Sequence, residues 1–548
     1  DLDAVREAAG GLMQDGCEAV AILFANAYAN PENKAAAVAA VRAIWPNPHV
    51  SASHEILPEI REYERFSTTA LNAYLQPEVS GYLNRLETAL GEGGFDGEFM
   101  IVQSNGGVMA VETACERPVR TALSGPAAGV IAAGYIAQTA GFPDVITGDI
   151  GGTSFDVSLI AQGQTQLSPQ TSVDFGLTIR SPMIEITTIG AGGGSIAWVD
   201  KGGLLQIGPE SAGSNPGPVA YGLGNDRPTV TDANVVLGRI DPDNPIGGKL
   251  SRLDVEAAAA AIDTHVGVPL GLGTYAAAEA ILRVANSRMA GAIRLVSIER
   301  GFDPKRFAFM PFGGGGALHT CALMADVGLA RSIVPRYPGV TSAMGCVIAD
   351  MRQDFVQTVN AMLDTLDADA LGQFMQDHHD KGQAMLDAAR TRFDAREAVF
   401  ELDMAYLGQT HTVAVPVTVV DGQVSAPTVA QIGAAFDDTY CATYGRLLPG
   451  GVRRILNLRS AVIGRRPKFD LETLAPQGDA AQTPRRRQVH FGEDWHDTPI
   501  YDRLMLPVGT HIPGPAILAQ PDTTVLIEPG FTARVDRYGN TIIEAEVT

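Results

Sequence analysis

The sequence predicts an α/β fold that runs into a β-rich C-terminal domain, and three observations predict it. Apolar strands and amphipathic helices alternate across residues 1–54, the pattern of βαβ units on a parallel sheet. Apolar strands run straight into glycine-rich turns at 99–107, 145–156 and 307–316. Residues 480–548 read as strands divided by the turns 507–509, Pro513-Gly514, Pro529-Gly530 and Tyr538-Gly539-Asn540.

Taken in order, residues 4–16 form an amphipathic helix and 18–24 a buried strand. Pro31 and Asn33 open a helix over 34–45, and 50–54 return to strand. A long helix over 64–90, interrupted near Pro77, has the look of a connector between lobes. The strand 99–103 ends in Ser104-Asn105-Gly106-Gly107, at the strand edge where open α/β sheets bind ligands. Ser124 suits the N-cap of a helix reaching about Ala140. A second glycine cluster, 187–195, leads into the strand 196–199, and 207–232 reads as a long loop. Helices follow at 253–265 and 274–299. The strand 307–312 then passes into Gly313-Gly314-Gly315-Gly316-Ala317-Leu318-His319, which opens a helix to Val327, and 344–350 is helical. Residues 364–396 are charged and helical, and 397–464 are strands with one helix near 428–445.

With 548 residues the chain is expected to hold two to four domains. Its net charge of −22 argues against nucleic acid or an anionic membrane as partner, and Arg485-Arg486-Arg487 is too short a basic run to reverse that. Five scattered cysteines without a C-x-x-C argue against a disulfide framework or a cysteine zinc site, so the expected setting is a reducing cytoplasm. No window is apolar enough to span a membrane and no signal peptide opens the chain. It begins at Asp1, without Met, inside what reads as an established pattern, so a preceding segment is expected.

The stretch richest in chemistry is Asp149-Ile150-Gly151-Gly152-Thr153-Ser154-Phe155-Asp156, a tight turn between two short strands. Glycines without Cβ let backbone N–H groups approach an anion, hydroxyls add donors, and an acid at a strand end suits hydrated Mg²⁺. The same residue types also build ordinary hairpins, so the eight residues alone leave both readings open. P-loop, Rossmann, zincin and G-x-S-x-G patterns are absent. Asp377-His378-His379-Asp380 is expected on a solvated helix face, because adjacent helical positions point apart. His319 stands between a capping or core role and a place near ligand. His411 is expected inside a structural strand, and Glu401 and Asp403 on an exposed strand face.

Company strengthens the turn. A glycine hairpin for phosphates, a distant strand, four-glycine loop and helix for adenosine, and glycine-ended loops near Asn105 and Gly193 together describe a nucleotide cleft between two lobes. That is the architecture of the actin, sugar-kinase and heat-shock-chaperone ATPases. Over nearly its whole length the chain also resembles the A subunits of ATP-dependent hydantoinases, a family related to 5-oxoprolinases, caprolactamases and the β-type subunits of acetone and acetophenone carboxylases. The resemblance rests on Leu71-Asn72-Ala73-Tyr74-Leu75, 103–107, Ser124-Gly125-Pro126-Ala127, 149–156, 190–195, 208–213, Pro216-Gly217-Pro218, 229–238, 313–319, Pro521-Asp522-Thr523-Thr524 and 537–540.

The resemblance implies that Asp149, Gly151, Gly152, Thr153 and Ser154 meet the phosphates of ATP, with Asp149 the catalytic acid and Asp149 and Asp156 beside Mg²⁺. Gly192 and Gly193 would line the cleft, and Gly313, Gly314, Gly315 and Gly316 would hold the adenosine side. Position 219 is Val where relatives often carry Cys. The relatives' first Asp-x-Gly-Gly-Thr hairpin has no copy in residues 1–148, so this polypeptide alone is expected to turn over little ATP. The implied domains are 1–78, the tail of an N-terminal lobe; 79–360, the central ATPase domain; and 361–548, an α+β domain with an all-β end. The implied activity is ATP-dependent ring opening of a cyclic amide such as hydantoin, N-methylhydantoin or 5-oxoproline, with a B-type partner subunit and scope for a homo-oligomer. The alternatives are an ATPase subunit of a ketone carboxylase, and an assembly subunit with a vestigial nucleotide site.

Overall fold

A computed structural model describes residues 1–248, 250–418, 424–476 and 482–546. The expected strand end at Val419 and the ends of the 480–548 segment, 480–481 and 547–548, lie outside the described residues. The chain forms two compact units. One comprises Asp1–Ser124, Ser168–Met183 and Ala349–Pro467, and the other Gly125–Leu167, Ile184–Ile348 and Lys468–Thr548.

In the first unit the strands Val20–Ile22 and Val50–Ala52 pair in parallel across the helix Glu32–Arg42, as the alternation predicts. Val38, Val41 and Trp45 fill the space beneath them. The helix Glu62–Glu92 runs unbroken through Pro77, against the expected interruption. Proline removes one N–H from the helical ladder, but the flanking turn is pinned from outside. Asn72 Nδ2 and Gln76 Nε2 both donate to the carbonyl of Glu116, at 3.0 and 3.2 Å.

A six-stranded sheet in this unit has the order Val413–Val417, Ala395–Tyr406, Arg453–Arg465, Met351–Met362, Val108–Ala110, Met100–Val102. Asp403, expected on an exposed face, is buried. It sits opposite Asn457 and accepts from Asn457 Nδ2 at 2.9 Å and from Arg459 Nε at 2.9 Å. Arg459 also reaches the buried Glu59 at 2.9 Å. Strand alternation marks two faces but not which one a distant arginine will neutralise. His411 lies in the loop before Val413, not within the strand. On the helix Ala368–Ala388, Asp377 and Asp380 are exposed as expected. His378 instead turns inward, where it stacks on Phe355 with ring centroids 5.2 Å apart and bonds Ser460 Oγ at 2.8 Å. No group of three or more metal-ligating side chains occurs among the described residues.

The second unit carries the glycine turns. Its elements, in chain order, are α1 (Ser124–Thr139), β1 (Val145–Ile150), β2 (Phe155–Ala161), β3 (Thr187–Ile189), β4 (Ser195–Val199), β5 (Leu205–Ser211), α2 (Val230–Val236), α3 (Thr274–Val296), β6 (Ala308–Phe312), α4 (Thr320–Val327), β7 (Arg331–Val334), β8 (Arg485–Phe491), β9 (Asp494–Asp502), β10 (His511–Pro513), β11 (Ala516–Gln520), β12 (Thr523–Ile527), β13 (Phe531–Val535) and β14 (Thr541–Ala545). The segment 207–232, expected as loop, holds most of β5 and the start of α2.

The main sheet runs β3-β2-β1-β6-β7-β14-β13-β10. β1 and β2 form an antiparallel hairpin, and β6 lies parallel to both β1 and β7. Alternation along β1 buries both faces. Ile146 and Ile150 join Phe155, Val157 and the Ala277, Ile281, Ala285 and Met289 stripe of α3. Val145 points the other way, to Ala133, Ile136 and Ala137 of α1. Burying each large aliphatic side chain contributes roughly 1.5–3 kcal/mol, so the hairpin base is firmly held. β8, β9, β11 and β12 form a separate four-stranded sheet.

Candidate functional site: the glycine hairpin and its acidic pair

Residues 151–154 close the β1–β2 hairpin, with Gly151 N donating to Ser154 O at 3.2 Å. The backbone N–H groups of Gly152, Thr153 and Ser154 have no acceptor among the described residues. Three successive unpaired N–H groups in a turn make an anion-binding concavity. A Cβ added at Gly151 or Gly152 would meet nothing within 4 Å, so the turn presents open backbone on its outer side.

The carbonyls of Gly151 and Gly152 are engaged by the second glycine cluster. Gly193 N donates to Gly151 O at 3.0 Å and Gly194 N to Gly152 O at 2.6 Å. Gly193 O in turn accepts from Thr231 N at 2.8 Å, at the start of α2. A Cβ on Gly192 would stand 2.7 Å from the Thr153 and Ser154 backbone. The second glycine cluster therefore backs the first, and its glycines are required by this close approach. Asp232 locks α2 in place. Its carboxylate accepts from Ala220 N and Thr229 N, both at 2.8 Å, and from Val219 N at 3.1 Å.

The two acids of the stretch stand opposite each other. Asp149 pairs with Asp156 in the β1–β2 register, and Thr188 of β3 pairs with Asp156 on its other side. Directly opposed side chains have Cβ atoms roughly 4.5–5.5 Å apart. Burial and the Asp156 charge push Asp149 up to about 6, and burial raises Asp156 as well. Thr188 and Ser154 hydroxyls partly offset this at Asp156, the Ser154 Oγ to Asp156 Oδ2 distance being 3.4 Å. Asp156 Oδ1 is buried and has no hydrogen-bond partner among the described residues. A pair of acids with an unsatisfied oxygen fits a cation. Mg²⁺ commonly takes one or two carboxylates and fills its remaining sites with water and phosphate.

The four-glycine loop lies against the same acid. Phe312, the last residue of β6, pairs with Asp149. Gly313 has φ +78°, and any Cβ there would strike the Asp149 carboxylate. Gly313 N donates to Pro338 O at 2.9 Å and Gly315 N to Ile150 O at 3.0 Å. Gly316 packs on Pro311, whereas Gly314 is open apart from Asp522 O at 3.8 Å. His319, beyond the loop, is a core residue. It is buried, its Nδ1 lies 2.6 Å from Asn286 Oδ1, and burial holds it down to about 4, hence neutral.

Asp149, Gly151, Gly152, Thr153, Ser154, Asp156, Gly192, Gly193 and 313–316 thus gather in one unit, whereas the turn at Asn105, also expected to line the cleft, belongs to the other unit, where Asn105 is buried and donates to Asp354. Thr188, Gly194, Thr231 and Asp522 were not foreseen in their roles. All four lie in stretches the sequence singles out, 187–195, 229–238 and 521–524, but the contacts they make were not legible there.

Residues 65–355 match the model of the Hydantoinase/oxoprolinase family, and 349–544 match the Hydantoinase/oxoprolinase C-terminal domain. The chain belongs to the hydantoinase/oxoprolinase family. Among relatives of this hydantoinase-family chain, the caprolactamase subunit alpha of Pseudomonas jessenii is 36% identical over 544 residues, covering 98% of this chain and 77% of the relative. The acetophenone carboxylase gamma subunit of Aromatoleum aromaticum is 31% identical, covering 100% and 76%. The crystal structure of the ATP-dependent caprolactamase from Pseudomonas jessenii superposes with a TM-score of 0.84 at 35% identity, covering 99% of this chain and 79% of that one. No helix among the described residues is long and apolar enough to cross a membrane.

Proposed function

We propose that this hydantoinase-family chain binds Mg-ATP at the 151–154 turn and the Asp149–Asp156 pair, and couples its cleavage to the opening of a cyclic amide. The observation that carries the reading is the turn itself: three N–H groups without an acceptor among the described residues, beside two apposed acids, one with an oxygen that has no partner among them. The strand order β3-β2-β1-β6-β7, with β2 alone reversed, supports an actin-type lobe. The similarity to a caprolactamase subunit supports a lactam-like substrate.

A cyclic amide is a poor electrophile, and phosphorylating its oxygen, or a helper such as bicarbonate, creates a leaving group. The unpaired N–H groups of 152–154 would hold and orient the phosphates, so the protein's share is positioning and charge stabilisation. Bound Mg²⁺ would neutralise phosphate charge, with Asp149 and Asp156 as its carboxylates. In this reading the ring-opening step itself is supplied by a B-type partner subunit.

A second reading has a specific observation behind it: the 31% identity to an acetophenone carboxylase subunit. One experiment separates them. The chain, co-expressed with its partner, is given Mg-ATP and a panel of hydantoin, N-methylhydantoin, 5-oxoproline, caprolactam, acetone and acetophenone, and phosphate release is measured. Release stimulated by a cyclic amide and lost in Asp149→Ala supports the proposal. Stimulation by ketones alone replaces it with the carboxylase reading. No stimulation by any acceptor, with Asp149→Ala unchanged from wild type, leaves an assembly subunit.

A further inference from the structure

We infer that a cavity in the first unit, between the end of the strand Ala395–Tyr406 and the end of the helix Val429–Tyr444, binds a small organic carboxylate. The inference uses none of the residues of the nucleotide reading and stands or falls without it.

The cavity forms where the strand and the helix end side by side. The strand breaks at Leu407-Gly408-Gln409, where Gly408 has φ +92° and Gln409 N donates to Tyr406 O at 3.0 Å. The helix stops at Gly445, which has φ +74° and donates from N to Cys441 O at 2.8 Å. Tyr406 packs edge-on against Phe436 and Tyr440 of the helix, with ring centroids 5.1 and 4.8 Å away. Leu407 N donates to Val452 O at 2.8 Å and Leu448 N to Tyr406 Oη at 3.4 Å, which ties the chain beyond the helix back to the strand. Between them lies a space of about 530 Å³. The strand side lines it with Gln409, Thr410 and His411, and the helix side with Tyr440, Tyr444 and Arg446, closed by Leu448. Small organic ligands occupy cavities of roughly 300–1,000 Å³.

The polar lining is rich in donors. Gln409 Oε1 accepts from Tyr406 N at 3.3 Å, and Gln409 Nε2 donates to Tyr440 Oη at 2.8 Å. Tyr440 is only 5% exposed, and its own O–H has no acceptor among the described residues. A buried donor left unmet is costly, so this proton calls for a partner inside the cavity. Arg446 and His411 likewise make no hydrogen bond or ion pair among the described residues. Arg61 Nη2 holds Thr410 through its carbonyl at 3.2 Å, which leaves the Thr410 hydroxyl free. No Asp or Glu among the described residues lines the space, although the chain carries 62 of them against 40 Lys and Arg. A guanidinium, a buried phenol proton and a hydroxyl on one cavity, with no protein carboxylate to answer them, suit an anion. One free guanidinium balances one negative charge, which favours a carboxylate over a phosphate dianion. The Tyr440 and Tyr444 rings, 4.6 Å apart, and Leu448 supply an apolar wall for the body of the molecule.

The test is calorimetric titration of the full chain with benzoate, hexanoate, benzamide and phenyl phosphate, on wild type, Arg446→Gln and Tyr440→Phe. At least one of the two carboxylates is expected to bind wild type with a Kd below about 1 mM, and the neutral benzamide about tenfold or more weaker than benzoate. Arg446→Gln is expected to melt with wild type, because Arg446 is exposed and unpaired among the described residues, and to lose about tenfold or more in carboxylate affinity. Tyr440→Phe keeps the ring packing and is expected to weaken binding as well. It also removes the Gln409 bond, so if its melting temperature falls, Arg446→Gln alone decides. Absence of carboxylate binding, equal binding of benzoate and benzamide, or an unchanged affinity in Arg446→Gln would each overturn the inference. Phenyl phosphate binding more tightly than benzoate would overturn the assignment to a carboxylate.

Discussion

Asp149 and Asp156 face each other across an antiparallel hairpin, with Asp156 Oδ1 buried and without a hydrogen-bond partner among the described residues. Like charges directly opposed on a sheet are destabilising, so the fold carries this pair at a cost to its own stability. Burial and the Asp156 charge place Asp149 at about 6 instead of 3.8. Between those values the folded chain keeps a proton that the unfolded chain has lost. Stability attributable to this residue therefore falls as pH rises from about 4 to about 6, and stays lower above that.

Asp149→Asn removes the penalty. Its unfolding free energy is predicted to exceed that of wild type at pH 8 by about 1–2 kcal/mol and to match it at pH 3.5. Denaturant melts at the two pH values measure this, and equal differences at both would contradict the assigned cause. The same variant is expected to lose at least 100-fold in nucleotide-dependent phosphate release. Mg²⁺ should raise the wild-type melting temperature at pH 8 far more than at pH 5, where Asp149 is largely protonated.

The glycines of the site divide into two kinds. A Cβ at Gly152 meets open space, whereas one at Gly192 lies 2.7 Å from the Thr153 backbone and one at Gly313 strikes Asp149. Gly152→Ala is predicted to melt within about 1–2 °C of wild type yet bind Mg-ATP at least tenfold more weakly. Gly192→Ala and Gly313→Ala should each lose on the order of 1–3 kcal/mol of stability as well. A Gly152→Ala protein that binds ATP normally would remove the 151–154 turn from the phosphate site.

In the first unit, Arg459 serves two buried carboxylates, Glu59 and Asp403. Glu59 is also paired with Arg180, so Arg459→Ala leaves Asp403 as the buried carboxylate without a cation, and a loss of about 3–5 kcal/mol is expected. Urea unfolding of that variant against the double variant Asp403→Asn, Arg459→Met, which leaves the Glu59–Arg180 pair in place, tests the origin of the loss. The double variant should recover a large part of it.

Cysteine chemistry gives an independent check on the packing. Cys17, Cys346 and Cys441 are exposed, whereas Cys321 is buried and its thiol is pushed far up by that burial. Alkylation of the native chain at pH 8 is predicted to modify the three exposed residues within minutes and to spare Cys321 until unfolding. Mass mapping of the labelled peptides reads this directly.

Much of the site was legible because its chemistry is local. The 149–156 stretch contains its own strands, turn and acids, and a hairpin of this length brings Asp149 opposite Asp156 with no help from afar. The strand and four-glycine loop at 307–316 declare themselves in the same way. Pro77 misled, because a proline's effect on a helix depends on what else holds that helix. Here Glu116, about 40 positions away, supplies the hold. Asp403 misled for a similar reason: its burial depends on Arg459 in the neighbouring strand.

By itself, then, the sequence determined the family and the glycine turn with its two acids. Those properties rest on residue type and short spacing along the chain. Only the tertiary structure decided that the second glycine cluster backs the first through Gly193 and Gly194, that His319 belongs to the core, and that Asp522 lies on the loop two hundred residues before it. Each of those contacts joins distant segments through a few backbone hydrogen bonds, and backbone groups are the same in every residue, so no periodicity or motif records which of them will meet.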